Sequence, residues 1–268
     1  MRTISLDQLT VCGERPAELV EIAASAGYGA ISCMLDGNAE VPAVSLHAGD
    51  PDTTAMRKRL RDTGVFINVA DGFPLSPVVS MERLREGVDL MAEMGARKIV
   101  TLNFDPDPAR SFDSFCTLRE WCQAANLPLL IEFTPLSQIA SLADALAFRG
   151  RAGADGVGVL VDLLHLNQSG GSPADIACLG MDVIGGGQLC DGPLRSDMET
   201  YLYNAIYERG VPGEGELPVR EFLRSLPEAL VFGLEVPMRS RALAGASAME
   251  RALLLMNVTR SLLAAEGL

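Results

Sequence analysis

The strongest constraint on the fold is an alternation: short β-rich apolar runs are separated, eight times over, by longer segments whose apolar residues recur with helical spacing. The runs fall at 3–11, 30–35, 66–71, 98–103, 128–133, 157–163, 182–189 and 230–236. Between them stand stretches such as PAELVEIAASAG, TAMRKRLRDTG, MERLREGVDLMAEMG and FDSFCTLREWCQAAN, several of which end at Gly or Asn, as helix C-termini do. Ser80 and Ser111 occupy N-cap places. Strand then helix, repeated, is the pattern of a parallel sheet, and a nearly all-apolar run such as PLLIEF suits a strand buried on both faces. Eight rounds favour closure into an α/β fold of the (β/α)8 TIM barrel type, with 241–266 completing the outer helical ring. No Pro/Ser-rich linker or abrupt charge shift divides the chain, so residues 1–268 read as one domain. Two stretches are less regular: 36–51, and 191–216, which is too long for an ordinary connection and reads as a functional loop or lid.

Composition narrows the partners. A formal charge of −13 opposes a polyanionic ligand, because nucleic-acid binding is driven largely by Lys and Arg neutralising phosphates. No uninterrupted apolar run approaches the roughly 18 residues of a membrane span. The stretch MRTISLDQLTVCGERP has no continuous apolar segment before Asp7 and does not read as a signal peptide, so a cytoplasmic location is expected. The six cysteines are dispersed, without a CxxC pair, and read as mostly buried and reduced; Cys190 alone has polar neighbours of interest, and packing is its expected role too. There is no GxSxG elbow, and GVPGEGE is neither a Walker A loop nor a dinucleotide fingerprint; it reads as a turn leading into LPVREFLRSL.

Active sites of such barrels form at the C-terminal ends of the strands. Four consecutive strand candidates each bring an oxygen-bearing side chain there: Glu132 in LLIEFTP, Asp162 in VLVDLLHL, Gln188 in GGGQLCDGP and Glu235 in FGLEVP. Converging carboxylates repel and titrate upward unless a cation sits among them, and an all-oxygen set suits a hard divalent ion, with the Gln188 amide as a neutral fourth ligand. Glycines 185–187 would leave space beside that site. His165, three residues past Asp162, either folds over the mouth to meet a substrate hydroxyl or shuttle a proton, or is a helix-start histidine bonded to backbone; its spacing favours the site. Asp191 is a substrate contact or a turn former. Asn68, Asp71 and Asn103 lie near strand ends and are substrate contacts or turn formers alike. In the long loop, Arg195 and Arg209 could meet a carboxylate or phosphate, with a surface ion pair the expected role for Arg209. His47 has no evident partner and reads as structural or exposed.

Taken together, LLIEF, VLVDLLHL, GGGQLCDGP, VPGEGELPVREFLRSL and FGLEVP resemble the xylose isomerase-like barrel superfamily, and within it the sugar phosphate isomerase/epimerase branch. The likeness is carried by residues 128–240; the earlier part matches in βα pattern. The resemblance implies a single divalent ion held by Glu132, Asp162, Gln188 and Glu235. Gln188 stands where epimerases of the branch commonly have His, which weakens the case for zinc: Mn²⁺ or Mg²⁺ is favoured, with Zn²⁺ or Co²⁺ as alternatives. Glu132 and Glu235 would be the acid/base pair, with His165 assisting at the substrate oxygens. The expected activity is metal-dependent isomerisation or epimerisation of a small keto-sugar, polyol or related hydroxy-ketone through an enediolate. A dehydratase or lyase on a hydroxylated cyclic ketone, or a non-catalytic barrel subunit, are the alternatives. Two histidines and an acidic surface depart from the superfamily's DNA-repair endonucleases. The partner is thus a small polar substrate, not nucleic acid or membrane, and a homo-oligomer is allowed because barrels of this branch often pair.

Overall fold

In the structure, a computed structural model that describes residues 2–268, eight strands pair in sequence order and close into a barrel. They are β1 (Ile4–Asp7), β2 (Ala30–Met34), β3 (Phe66–Asp71), β4 (Ile99–Thr101), β5 (Leu129–Glu132), β6 (Val157–Asp162), β7 (Ile184–Leu189) and β8 (Phe232–Leu234). Each neighbouring pair is parallel, including β8 with β1, so the barrel has no free edge. Among the described residues, no helix is long and apolar enough to cross a membrane.

The outer layer comprises α1 (Pro16–Ala26), α2 (Pro51–Thr63), α3 (Met81–Glu93), α4 (Pro108–Ala124), α5 (Leu142–Ala152), α6 (Leu163–Gln168), α7 (Pro173–Ile176), α8 (Met198–Tyr207), α9 (Val219–Ser225), α10 (Arg239–Leu243) and α11 (Ala248–Glu266). Local chemistry sets several of these boundaries. Proline at the first helical position starts α1, α2 and α4, where its missing N–H costs nothing. Gly27 and Gly64 end α1 and α2 in the left-handed region, at φ 84° and 74°. Ser80 caps α3 as expected, accepting from Arg83 N. Ser111 does not cap: Asp107 takes that role for α4, accepting from Ala109 and Arg110, because Pro108 starts the helix earlier. The expected closure of the helical ring is met by α11, against which Tyr28 donates to Ala252 O at 2.9 Å.

The first strand is shorter than the run 3–11 suggested. After Asp7 the chain turns into a 3₁₀ segment, Gln8–Val11. Thr10 holds that turn against the last strand, donating from its hydroxyl to Leu234 O at 2.7 Å and accepting from Val236 N at 2.8 Å. The long stretch after β7 is ordered by Asp191, whose carboxylate accepts from the backbone N–H groups of Gly192, Gly213 and Leu217. Asp191 is therefore the knot of the loop, and the turn-forming alternative is the one realised. Three cysteines, Cys33, Cys122 and Cys190, are buried; Cys12 and Cys116 are half-buried and Cys178 is exposed, fewer buried than composition suggested.

Candidate active site

Alternate residues of a strand share a face, so inward side chains of a parallel barrel stack in layers. Leu130 and Leu160, with Val69 and Val100, form a small apolar plug inside the barrel. Two residues further along their strands stand Glu132 and Asp162, and Asp162 pairs in register with Gln188. Glu235 follows the end of β8. The four side chains named from the sequence thus rise together above the plug, each between 1% and 6% exposed.

The glycine run plays a different part from the one its position suggested. A Cβ on Gly185 would strike Leu130, and one on Gly186 would press on Leu160 and Leu130; one on Gly187 would meet Leu226, outside the barrel. These glycines admit the plug and the helical layer, not a ligand. The register shift between β6 and β7 falls here as well, with Val159 opposite Ile184 and Leu160 opposite Gly186, so Gly185 is the extra residue of a bulge.

Arg209 is the largest departure from expectation. Placed by the sequence reading on the surface, it is 5% exposed, inside the mouth. Its guanidinium donates from Nη1 to Asp162 Oδ2 at 2.6 Å and from Nη2 to Glu235 Oε2 at 2.8 Å. Nη1 also reaches the Glu235 carbonyl at 3.3 Å, and Nε donates to Ala205 O at 3.0 Å. Burial works against its charge, but Asp162 and Glu235 outweigh that and hold its pKa well above the ordinary value. In return, although burial opposes ionisation, Arg209 and then His165 hold Asp162 below the usual carboxylate range. Glu235 fares otherwise: burial pushes it up to about 8, against the pull of Arg209 and with the help of Asp162 and Asp7. Cys190 is packed beneath the guanidinium, its thiol raised by burial, as its expected packing role requires.

Gln188 is oriented by the acids around it. Its amide nitrogen donates to Glu235 Oε1 at 3.0 Å and to Asp7 Oδ2 at 3.1 Å, because the oxygen would be repelled there. That leaves Gln188 Oε1 buried without a partner among the described residues. Asp7, at the end of β1, is a site residue the sequence reading missed. It is buried over Gly233, whose Cβ would overlap the carboxylate, and burial pushes its pKa up to about 6.

His165 stands at the start of α6, where Asp162 caps the helix by accepting from His165 N at 3.0 Å. His165 is thus a helix-start residue, but its ring faces site side chains and not the backbone. Its Nδ1 lies 2.9 Å from the Tyr201 hydroxyl, which is in turn 2.7 Å from Thr134 Oγ1, and its Nε2 lies 3.6 Å from Glu132 Oε1. Burial lowers its pKa to about 4, so the ring is neutral near pH 7. If the Tyr201 hydroxyl donates to Nδ1, the ring proton sits on Nε2, facing Glu132; if Nδ1 carries the proton, it donates to Tyr201 and Nε2 is an acceptor. Glu132 accepts no hydrogen bond among the described residues. Burial and the charges of Glu235, Asp71 and Asp162 push it well above the usual carboxylate range.

The remaining expected contacts lie elsewhere. Asn103 is occupied within its own loop, donating to Ser111 Oγ at 2.6 Å and accepting from Asp105 N. Asn68 lies low in the barrel, its amide nitrogen 3.5 Å from Val231 O just before β8, so it does not reach the mouth. Arg195 and His47 are exposed. The cavity against Asp7, Gln188 and Glu235 measures about 10 Å³, close to the smallest that holds one water. Leu9 lines both it and a larger cavity of about 400 Å³, walled by Thr10, Pro42, Tyr207, Arg239 and Arg251.

As placed, these side chains do not fit the divalent ion that the sequence suggested. Among the described residues no three acidic, thiol or imidazole side chains are gathered as a metal set. Asp162 and Glu235 turn oxygens to Arg209, and Gln188 presents its amide nitrogen to the acids. The charge compensation expected from a metal comes here from a guanidinium.

A parallel barrel closed by eight strands, with its ionisable groups grouped at the strands' C-terminal ends, belongs to the TIM-barrel class. More narrowly, residues 20–257 match the family described as xylose isomerase-like TIM barrel, and the chain belongs to that family. No curated protein sequence matches. Among solved structures, the fold is similar to the IolI protein with a bound zinc atom, at TM-score 0.79 and 13% identity over 99% of both chains. It is similar to L-ribulose 3-epimerase at TM-score 0.75 and 16% identity, over 100% of this chain and 96% of that one. It is also similar to the probable 3-DHS dehydratase AsbF from Bacillus anthracis, at TM-score 0.69 and 17% identity, over 96% and 98% of the chains.

Proposed function

We propose that the protein is an isomerase or epimerase of a small keto-sugar, polyol or related hydroxy-ketone, moving a proton at a carbon beside the carbonyl. The observation that carries this reading is Glu132: a buried carboxyl free of hydrogen bonds, with raised proton affinity, 3.6 Å from a neutral imidazole. A carboxylate becomes a stronger base as its proton affinity rises, and burial raises that of Glu132. Kinship with a ribulose epimerase in fold and membership of the family are consistent with it.

In this reading the substrate enters from the larger cavity past Leu9. Glu132 in its ionised form takes the α-proton, and the electron pair moves to the carbonyl oxygen. His165 donates from Nε2 toward a substrate oxygen, while Tyr201 keeps the ring from turning. Arg209 supplies positive charge next to the developing enediolate, and Gln188 Oε1 accepts from a substrate hydroxyl. Return of a proton, to the same carbon from the other side or to its neighbour, falls to Glu235 once substrate binding draws Gln188 or Arg209 off one of its oxygens, both of which accept in the structure as it stands.

Incubation in D₂O with a panel of pentuloses and hexuloses, followed by ¹H NMR, tests this. The expected result is deuterium at the carbon beside the carbonyl, slowed about 10²–10⁴-fold in Glu132→Gln. Absence of exchange across the panel, or normal exchange in the variant, overturns it. Loss of water with formation of an enone would support the dehydratase reading, which the likeness to AsbF in fold favours.

A further inference from the structure

We infer that Arg209 is the resident cation of this site, a guanidinium standing where the family's divalent ion would stand, so that the barrel mouth works without a metal. The inference rests on side-chain placement and stands or falls separately from the isomerase reading.

Three observations carry it. First, Arg209 bridges two acids that come from different strand ends, Asp162 at 2.6 Å and Glu235 at 2.8 Å. A surface arginine that had merely swung inward would make no such pair of bonds, because the side chain must be almost wholly desolvated to reach them; it is 2% exposed. Second, the arginine is held from behind as well as in front. Nε donates to Ala205 O, the backbone N of Arg209 donates to Pro237 O at 2.8 Å, and its neighbours Glu208 and Gly210 bridge to Met238 and Asp191. The head group is thus delivered by a fixed backbone. Third, Gln188 completes the arrangement in the sense opposite to a ligand's. Its amide nitrogen, not its oxygen, faces Glu235. An ion entering between Asp162 and Glu235 would have to expel the guanidinium from two charge-assisted bonds and turn the amide over.

The planar fork explains why arginine suits the position. It offers separate N–H groups to two carboxylates at once and cannot lose its proton, whereas a lysine would be a single point charge and easily neutralised by burial. It also leaves the site less positive than a divalent ion would, by one charge.

The test uses the full-length protein and Mn²⁺, whose free form gives an EPR signal that is lost on binding. Protein purified from medium supplemented with Mn²⁺, Co²⁺ and Zn²⁺ is expected to be substoichiometric in all three by elemental analysis. Added Mn²⁺ is expected to leave both the EPR signal and the urea midpoint unchanged, as is EDTA. Arg209→Ala is expected to bind Mn²⁺ at least about tenfold more tightly than the unsubstituted protein, and Asp162→Asn in that background to lose the gain. Arg209→Gln serves the same comparison where Arg209→Ala does not fold. The inference is overturned if the unsubstituted protein binds one equivalent of any of the three ions and Asp162→Asn abolishes it. It is equally overturned if neither Arg209 variant gains affinity, since the guanidinium would then occupy no ion's place.

Discussion

Replacing Gly185 with alanine tests the packing that lifts the acids into the mouth. The new methyl would meet Leu130 Cδ2, and Leu130 cannot swing clear without disturbing Val69, Val100 and Leu160, which pack around it inside the barrel. Gly158 presses on the same atom at 2.8 Å from an added Cβ, so Leu130 is nested among glycines on two strands. Overpacking of this kind costs about 1–3 kcal/mol. The backbone at Gly185 has no positive φ, so alanine recovers roughly 0.4–1 kcal/mol by restricting the unfolded chain, and the net loss expected is about 1–2 kcal/mol. Leu130→Ala alone opens a cavity and costs about 2–5 kcal/mol. The two changes relieve one another, and the double variant should be more stable than the sum of the single losses predicts, by about 1–2 kcal/mol. Urea unfolding of all four proteins measures the cycle. Additive losses, or a Gly185→Ala variant as stable as the parent, would refute the claim that the glycine run makes room for Leu130.

Three further perturbations probe the mouth itself. Asp7, buried with a pKa of about 6 against an ordinary 3.8, opposes folding when ionised. Its contribution to stability is full below about pH 4 and falls by about 3 kcal/mol as pH rises through about 6; Asp7→Asn should flatten that part of the slope in urea unfolding, and an unchanged slope would disprove the assignment. Tyr201→Phe removes the hydroxyl that meets His165 Nδ1 and Thr134; a loss of about 1–3 kcal/mol is expected, with ¹⁵N NMR showing a mixed imidazole tautomer, whereas a single Nε2–H form would argue that Tyr201 does not set it. Asp191→Ala strips the acceptor from Gly192, Gly213 and Leu217; at about 1.5–3 kcal/mol, hydrogen exchange across 191–217 should quicken by about 10–150-fold, with no change if the loop is held otherwise.

The barrel was legible because each strand buries both faces and so announces itself as an apolar run without regard to distant partners. The strand-end residues Glu132, Asp162, Gln188 and Glu235 were legible for a related reason: their place follows from the run they terminate. Asp7 was not, since ISLDQLTV reads as one continuous strand, and only the pull of Thr10 on Leu234 shows where it ends. Arg209 was concealed by distance. It lies 47 residues from Asp162 and 26 from Glu235, and nothing in ERGVPGEGE distinguishes an arginine that turns inward from one that stays in water. A glycine likewise signals that space is needed without naming the side chain that fills it, which is why 185–187 pointed to a ligand when the occupants are leucines.

The ordered excursion after β7 has one consequence for how such a barrel can change. The acids of the mouth come from the strand ends, but the groups that answer them, the Arg209 cation and the Tyr201 hydroxyl that orients His165, both arrive on the single stretch that Asp191 ties down. The electrostatic character of the mouth is therefore written in one contiguous piece of chain. Exchanging that piece would hand the same acids a different counter-charge while leaving every strand of the barrel as it is.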